Sequence, residues 1–140
     1  MTVTVNGVTT TYVENIPYAF DPIMTGYVYN DQNYPELHST HIDLTSGFNT
    51  TTGWDTWVSI SIDGESTGWH YISDTSTWND VFYETGGVGY FARSGSIYIE
   101  KVEGVGGRIK GTFTAVVESC FDLPCTQLNV SGSFDVTRDY

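Results

Sequence analysis

The chain has 140 residues with 17 Asp and Glu against 5 Lys and Arg, a formal net charge of −12. The imbalance is uneven: Met1 to Ala92 holds eleven acidic residues and no Lys or Arg, while Arg93, Lys101, Arg108, Lys110 and Arg138 all lie beyond it. Both nucleic acid and anionic membrane surfaces are argued against as partners, because each needs clustered cations to neutralise phosphate.

In chain order, Thr2–Val5 and Val8–Val13 flank Asn6-Gly7, a two-residue hairpin signal. From Glu14 to Ile23 an irregular segment is expected, since Pro17 and Pro22 interrupt any strand. Met24–Tyr29 and His41–Leu44 read as strands separated by a polar loop from Asn30 to Thr40. Trp57–Ile62 alternates, with Val58, Ile60 and Ile62 on one face, and ends at Asp63-Gly64, from which Trp69–Ile72 returns. After the polar stretch Ser73–Asp80 come Val81–Tyr83, Val88–Ala92 and Ser96–Val102, punctuated by Gly86-Gly87 and Ser94-Gly95. Glu103–Gly107 is a glycine-rich turn into the terminal strands.

Composition agrees with this pattern: 15 Gly, ten Tyr, seven Phe and four Trp stand against three Ala and four Leu, so good strand formers dominate. The length fits one domain, 1–140. About ten short strands with no helix and no repeat predict an all-β chain, an antiparallel β-sandwich first and a flattened barrel second.

Cys120 and Cys125 enclose Phe121-Asp122-Leu123-Pro124 between two alternating segments. If the thiols face each other across a hairpin mouth, the register places Val117 opposite Leu128, Ala115 opposite Val130, Phe113 opposite Gly132, Gly111 opposite Phe134 and Ile109 opposite Val136. Twice, then, a Phe ring lies across from a Gly that leaves it space. The other face pairs Glu118 with Gln127, Thr114 with Ser131, Thr112 with Ser133 and Lys110 with Asp135, a solvated face with one complementary charge pair. A structural Cys120–Cys125 disulfide follows, worth roughly 2 kcal/mol for so short a loop, and with it an oxidising compartment. A redox or metal pair would want the C-x-x-C spacing, which is absent.

Chemistry-bearing motifs are sparse. Gly106-x4-Gly111 imitates a phosphate loop, but Lys110 precedes the second Gly and a strand follows where a helix is needed. No G-x-S-x-G elbow occurs. His38, His41 and Asp43 make a His/His/Asp metal group conceivable, though their spacing does not demand one, and no metal site is assigned. Ca²⁺ is a candidate for the acidic loops Asp21–Asp31 and Asp74–Asp80; otherwise no cofactor is expected. Asp63 with Glu65 is the nearest thing to a glycosidase carboxylate pair, and turn residues look the same. The aromatic excess is more informative: Trp54, Trp57, Trp69 and Trp78, with Tyr27, Tyr29, Tyr34 and Tyr71, cluster beside Asp, Asn and Thr. Flat rings beside hydrogen-bonding groups make a ligand-binding platform, for which the four Trp are the candidate residues, with Trp57 the best exposed by its place on the polar face.

Ser94-Gly95-Ser96-Ile97-Tyr98-Ile99, Gly107-Arg-Ile-Lys-Gly-Thr-Phe113 and Val130-Ser-Gly-Ser-Phe134-Asp-Val136 give the order G-x-I-x-G-x-F followed by G-x-F-x-V. This C-terminal stretch resembles the end of small β domains in secreted or lipid-anchored surface proteins of Bacteroidota-like bacteria. The resemblance implies an extracellular or cell-envelope β-sandwich and brings no catalytic residues to carry over. Met1 is then read as standing where a leader was removed, and no apolar run is long enough for membrane insertion. The expectation is a non-enzymatic extracellular binding or surface-interaction module for a glycan or a surface protein. The alternatives are a structural subunit or adhesin that self-associates through an edge strand, and a small hydrolase whose site no motif exposes.

Overall fold

The computed structural model describes all residues except 15–21, 31, 35–36, 50, 52, 74–77, 122 and 140, with backbone alone at 48–49 and 53–54. Ten strands form: β1 (Thr2–Val5), β2 (Val8–Thr11), β3 (Ile23–Asn30), β4 (His38–Asn49), β5 (Gly53–Asp63), β6 (Gly68–Ile72), β7 (Asp80–Thr85), β8 (Val88–Val102), β9 (Arg108–Ser119) and β10 (Thr126–Thr137). All belong to one antiparallel sheet in the order β2-β1-β10-β9-β8-β7-β5-β4-β3, with β6 also on β8. The two inner faces that a sandwich draws from separate sheets come here from one sheet curled into a half-barrel. Its core holds the alternating apolar residues, among them the fully buried Ile42, Leu44, Val58, Ile60, Ile97 and Ile99.

The curl brings β3 across to the end of β10. Gly26 bridges to Arg138, and the Asp139 N–H donates to the Gly26 carbonyl at 2.7 Å. A Cβ at Gly26 would lie 2.8 Å from Val136 Cγ2 and 3.1 Å from Ile109 Cδ1, so glycine is what lets the far strand approach this closely. Arg138 reinforces the closure, donating to Glu65 Oε2 and to the Glu103 carbonyl, each at 2.8 Å.

The terminal hairpin has the register read from the cysteines, from Val117↔Leu128 to Ile109↔Val136, and the Cys120–Cys125 disulfide closes its mouth. Both Phe rings use the space across the sheet: a Cβ at Gly111 would sit 2.7 Å from Phe134 Cζ, and one at Gly132 2.8 Å from Phe113 Cε1. Lys110 does face Asp135 in register, yet the charges pair elsewhere. Lys110 Nζ reaches Glu100 at 3.0 Å, while Arg108 takes Asp135 at 2.7 Å and Glu14 at 2.8 Å. The guanidinium fork puts Nε on Asp135 and Nη1 on Glu14, so one side chain serves both carboxylates in a fixed geometry.

Several boundaries differ from the sequence expectation. β4 begins at His38, inside the expected loop, and runs on to Asn49, β5 begins at Gly53, β7 spans Asp80–Thr85, and β2 stops at Thr11. The larger difference is β8: Ser94-Gly95 does not turn the chain, and Val88–Val102 is one strand. A register shift between Ala92 and Ser94 instead inserts Arg93 as an extra residue opposite β9. The irregular segment expected from Glu14 to Ile23 lies mostly outside the described residues.

β6 and β7 follow one another along the same edge of β8, β6 opposite residues 99 to 95 and β7 opposite residues 91 to 88. They line up as two halves of one interrupted strand along that edge. The Asn79 side chain spans the interruption. Its Oδ1 accepts from the Asp63 N–H at 3.0 Å and its Nδ2 donates to the Tyr71 carbonyl at 3.2 Å, tying β5 to β6 where no ladder does so.

Candidate functional site

The bulge at Arg93 decides what the outer face of β8 displays. Phe91 and Tyr98 are seven positions apart, so in a regular strand they would point to opposite faces. With one residue extruded, both point outward, while Ile97 and Ile99 stay in the core.

Tyr98 stands directly opposite Trp69 of β6, with ring centroids 5.0 Å apart and planes tilted by 48°. Tyr71, two residues on from Trp69, lies opposite Ser96, whose small side chain leaves the ring uncovered. Trp69 is 60% and Tyr71 67% exposed, so their faces are open to a ligand. Trp78, 41% exposed, stands two residues before β7, and its carbonyl accepts from Ser61 Oγ at 2.9 Å. A second ring series runs across β5, β7 and β8, Trp57 to Phe82 to Phe91, each step 5.1 Å between centroids.

Of the four tryptophans singled out by composition, Trp69 and Trp78 are, among the described residues, the two with large exposure, and Trp69 is the one set in the aromatic pair. Trp57 is half-buried, edge-on against Phe82, and so is not the best exposed of the set: its strand neighbours on the polar face are aromatic as well as Ser. Trp54 pairs with Phe48 through its backbone, and its side chain lies outside the described residues. Tyr98 was the member that sequence alone missed. Its outward direction follows from the buried Ile97 and Ile99 on either side, but its meeting with Trp69 depends on β6 crossing to β8 instead of pairing with β5, which no local signal announces.

The remaining candidates resolve into structural roles. His38 Nε2 donates to Glu65 Oε1 at 3.0 Å. His41 lies 2.8 Å from Ser39 Oγ and stacks on Tyr27 at 4.9 Å. The two histidines thus serve different partners. Ser39, His41 and Asp43 share a strand face in the residue types of an acyl-transfer triad, but Ser39 is only 4% exposed, which closes its hydroxyl to a substrate. Burial lowers the His41 imidazole below its ordinary value, with Asp43 acting in the opposite direction. Glu65 is no free acid/base group either: burial raises its carboxyl, and the bonds from His38 and Arg138 outweigh this and hold it low. Glu118, Cys120 and Cys125 are a close set of potential metal ligands among the described residues, but both sulfurs belong to the disulfide. The acidic loop 74–80 has only its last residues described, and 21–31 lacks its two end carboxylates. Glu103 to Gly107 is a hairpin turn, with the Gly107 N–H donating to the Gly104 carbonyl at 2.8 Å.

Compared with known proteins, the chain matches no family model, no curated protein and no solved structure.

Proposed function

We propose that this domain is a non-enzymatic extracellular binding module that recognises glycans on the face carrying Trp69, Tyr71 and Tyr98. The observation that carries this reading is the pair of exposed rings, Trp69 and Tyr98, held against each other from adjacent strands. Such rings offer flat apolar area at low entropic cost, because each is already fixed by its neighbour. The C–H faces of a sugar stack on that area, and nearby hydroxyls, here Ser96 and Thr112, take up its polar edge. The disulfide and the resemblance of the C-terminal hairpin to envelope β domains support an extracellular or cell-surface setting.

Titration calorimetry against a panel of neutral oligosaccharides tests the reading. Trp69→Ala is expected to weaken the best ligand about tenfold, equivalent to about 1.4 kcal/mol. A panel that shows no binding at millimolar concentration overturns it.

A second reading, a subunit that adds a neighbour's strand to β2, has one observation in its favour. β2 ends the sheet order and all four of its residues are exposed. So short an edge gives a partner few ladder bonds, and shortness is itself a way of protecting an edge.

A further inference from the structure

Two rows of side chains cross six strands of the outer sheet face in unbroken register. One runs Thr11, Thr2, Ser133, Thr112, Tyr98, Trp69, and the other Thr9, Thr4, Ser131, Thr114, Ser96, Tyr71. Every step is between directly opposed residues, so the interval within a row is the strand separation, about 4.8 Å, and the rows lie about 6.8 Å apart. Each row is then about 24 Å long.

The rows have a direction. Along β9 and β10 the hydroxyls stop after two positions, at Lys110 and Asp135 on one side and at Val116 and Asn129 on the other. Across the strands they continue from the aromatic pair to the edge of the sheet. Neither row contains a charged residue, and the neighbouring Lys110 is held by Glu100 at 3.0 Å. Thr2 and Ser133 share a hydrogen bond of 2.8 Å, and Thr4 and Thr9 one of 2.7 Å. Thr2 Oγ1 also accepts from the Ser133 N–H at 3.1 Å, which leaves it one hydrogen-bonding position, while Ser133, Thr4 and Thr9 each keep a lone pair, since a hydroxyl carries two acceptor sites besides its donor. Thr9, Thr11, Thr112 and Thr114 are exposed.

We propose that Trp69 and Tyr98 form the end of a track for a linear, neutral, β-linked oligosaccharide that lies across the strands. Its terminal ring stacks on the aromatic pair, and each following unit meets the next strand's hydroxyls on the way to β2. The strand separation is close to the length of one pyranose unit in an extended chain, which is what keeps successive sugars in step with successive strands. Neutrality follows from the absence of any charged residue in the rows, and the −12 net charge adds a bias against anionic chains. The inference rests on the glycan reading above and adds to it the ligand's shape, orientation and charge.

The test is a length series, cellobiose to cellohexaose, titrated into the full chain, its Ser133→Ala/Thr11→Val variant, which alters only the distal part of the row, and its Trp69→Ala variant. At least tenfold tighter binding of the hexaose than of the biose is expected. The double variant should remove that advantage and leave biose binding unchanged, whereas Trp69→Ala should weaken both. Equal affinity at every length, or a double variant that keeps the hexaose advantage, overturns the track and leaves the aromatic site standing. Tighter binding of an acidic oligogalacturonate series overturns the neutral assignment. A chain that binds no member of either series overturns both the track and the glycan reading.

Discussion

Two glycines in the terminal hairpin act by having no side chain. A methyl group at Gly111 would collide with the Tyr98 carbonyl and with Phe134, and one at Gly132 with the Thr2 carbonyl and Phe113. Gly132→Ala is therefore expected to cost about 2 kcal/mol, in the range of overpacked cores, and denaturant unfolding would register it as a lower midpoint at unchanged slope. These positions were legible in sequence, because the Phe-across-Gly pairing fell out of a register anchored on the cysteines. Arg108 was not, since the choice between two cations for Asp135 depends on side-chain reach and not on spacing.

His41 gives a pH effect at the same scale. Its ring is held below the ordinary 6.5 chiefly by burial, so the unfolded chain binds a proton there more readily than the folded one. The contribution of the neutral ring is whole above that value and is lost as pH falls through the lower range. Glu65, also held low, acts in the same direction below its ordinary 4.5. Melting temperature should thus drop between about pH 7.5 and 5.5, the interval in which histidine titrates, and His41→Gln should flatten that part of the profile.

Among the elements, the interrupted β6–β7 strand depends on one side chain. Asn79 substitutes for a backbone peptide between Asp63 and Tyr71, so Asn79→Ala should loosen Trp78 and Tyr71 together. A severalfold loss of the proposed glycan affinity is expected while melting temperature changes little, read by calorimetry and thermal denaturation on the same sample. The disulfide loop behaves in the opposite way. Its removal by Cys120→Ser with Cys125→Ser should cost about 2 kcal/mol of stability and leave ligand affinity intact, because the aromatic face is carried by β6 and β8. Most strands were readable from their alternation. The bulge at Arg93 was not: Ser94-Gly95 carries the chemistry of a turn, and only the pairing with β9 shows the chain running on. Without the bulge, the outward placing of both Phe91 and Tyr98 could not be foreseen.

For the molecule as a whole, the net charge has a physical address. The basic residues are spent on closure and on ion pairs: Arg138 at Glu65, Arg108 at Glu14 and Asp135, Arg93 at Glu118, Lys110 at Glu100 and Lys101 at Glu103. Arg138→Ala should therefore open the half-barrel at its seam, costing about 2 kcal/mol for the lost charged hydrogen bonds. Hydrogen exchange would show this as faster exchange of β3 amides at unchanged protection of β9. The all-β class followed from composition and periodicity, but a single curled sheet did not, since that depends on β3 meeting the end of β10 from the opposite side of the fold.

The pairing of β1 with β10 also bears on how the chain is made. Thr2 and Ser133 are joined across 131 positions of sequence, so while the chain emerges from the ribosome its first hairpin has no strand to pair with, among the described residues, until the tenth strand appears. The β9–β10 hairpin is local and can form at once, whereas the sheet can be completed only afterwards. During that interval the apolar inner face and several strand edges stand open to other chains. Expression yield and recovery should therefore respond to translation rate and to chaperones more strongly than the finished fold's stability would suggest.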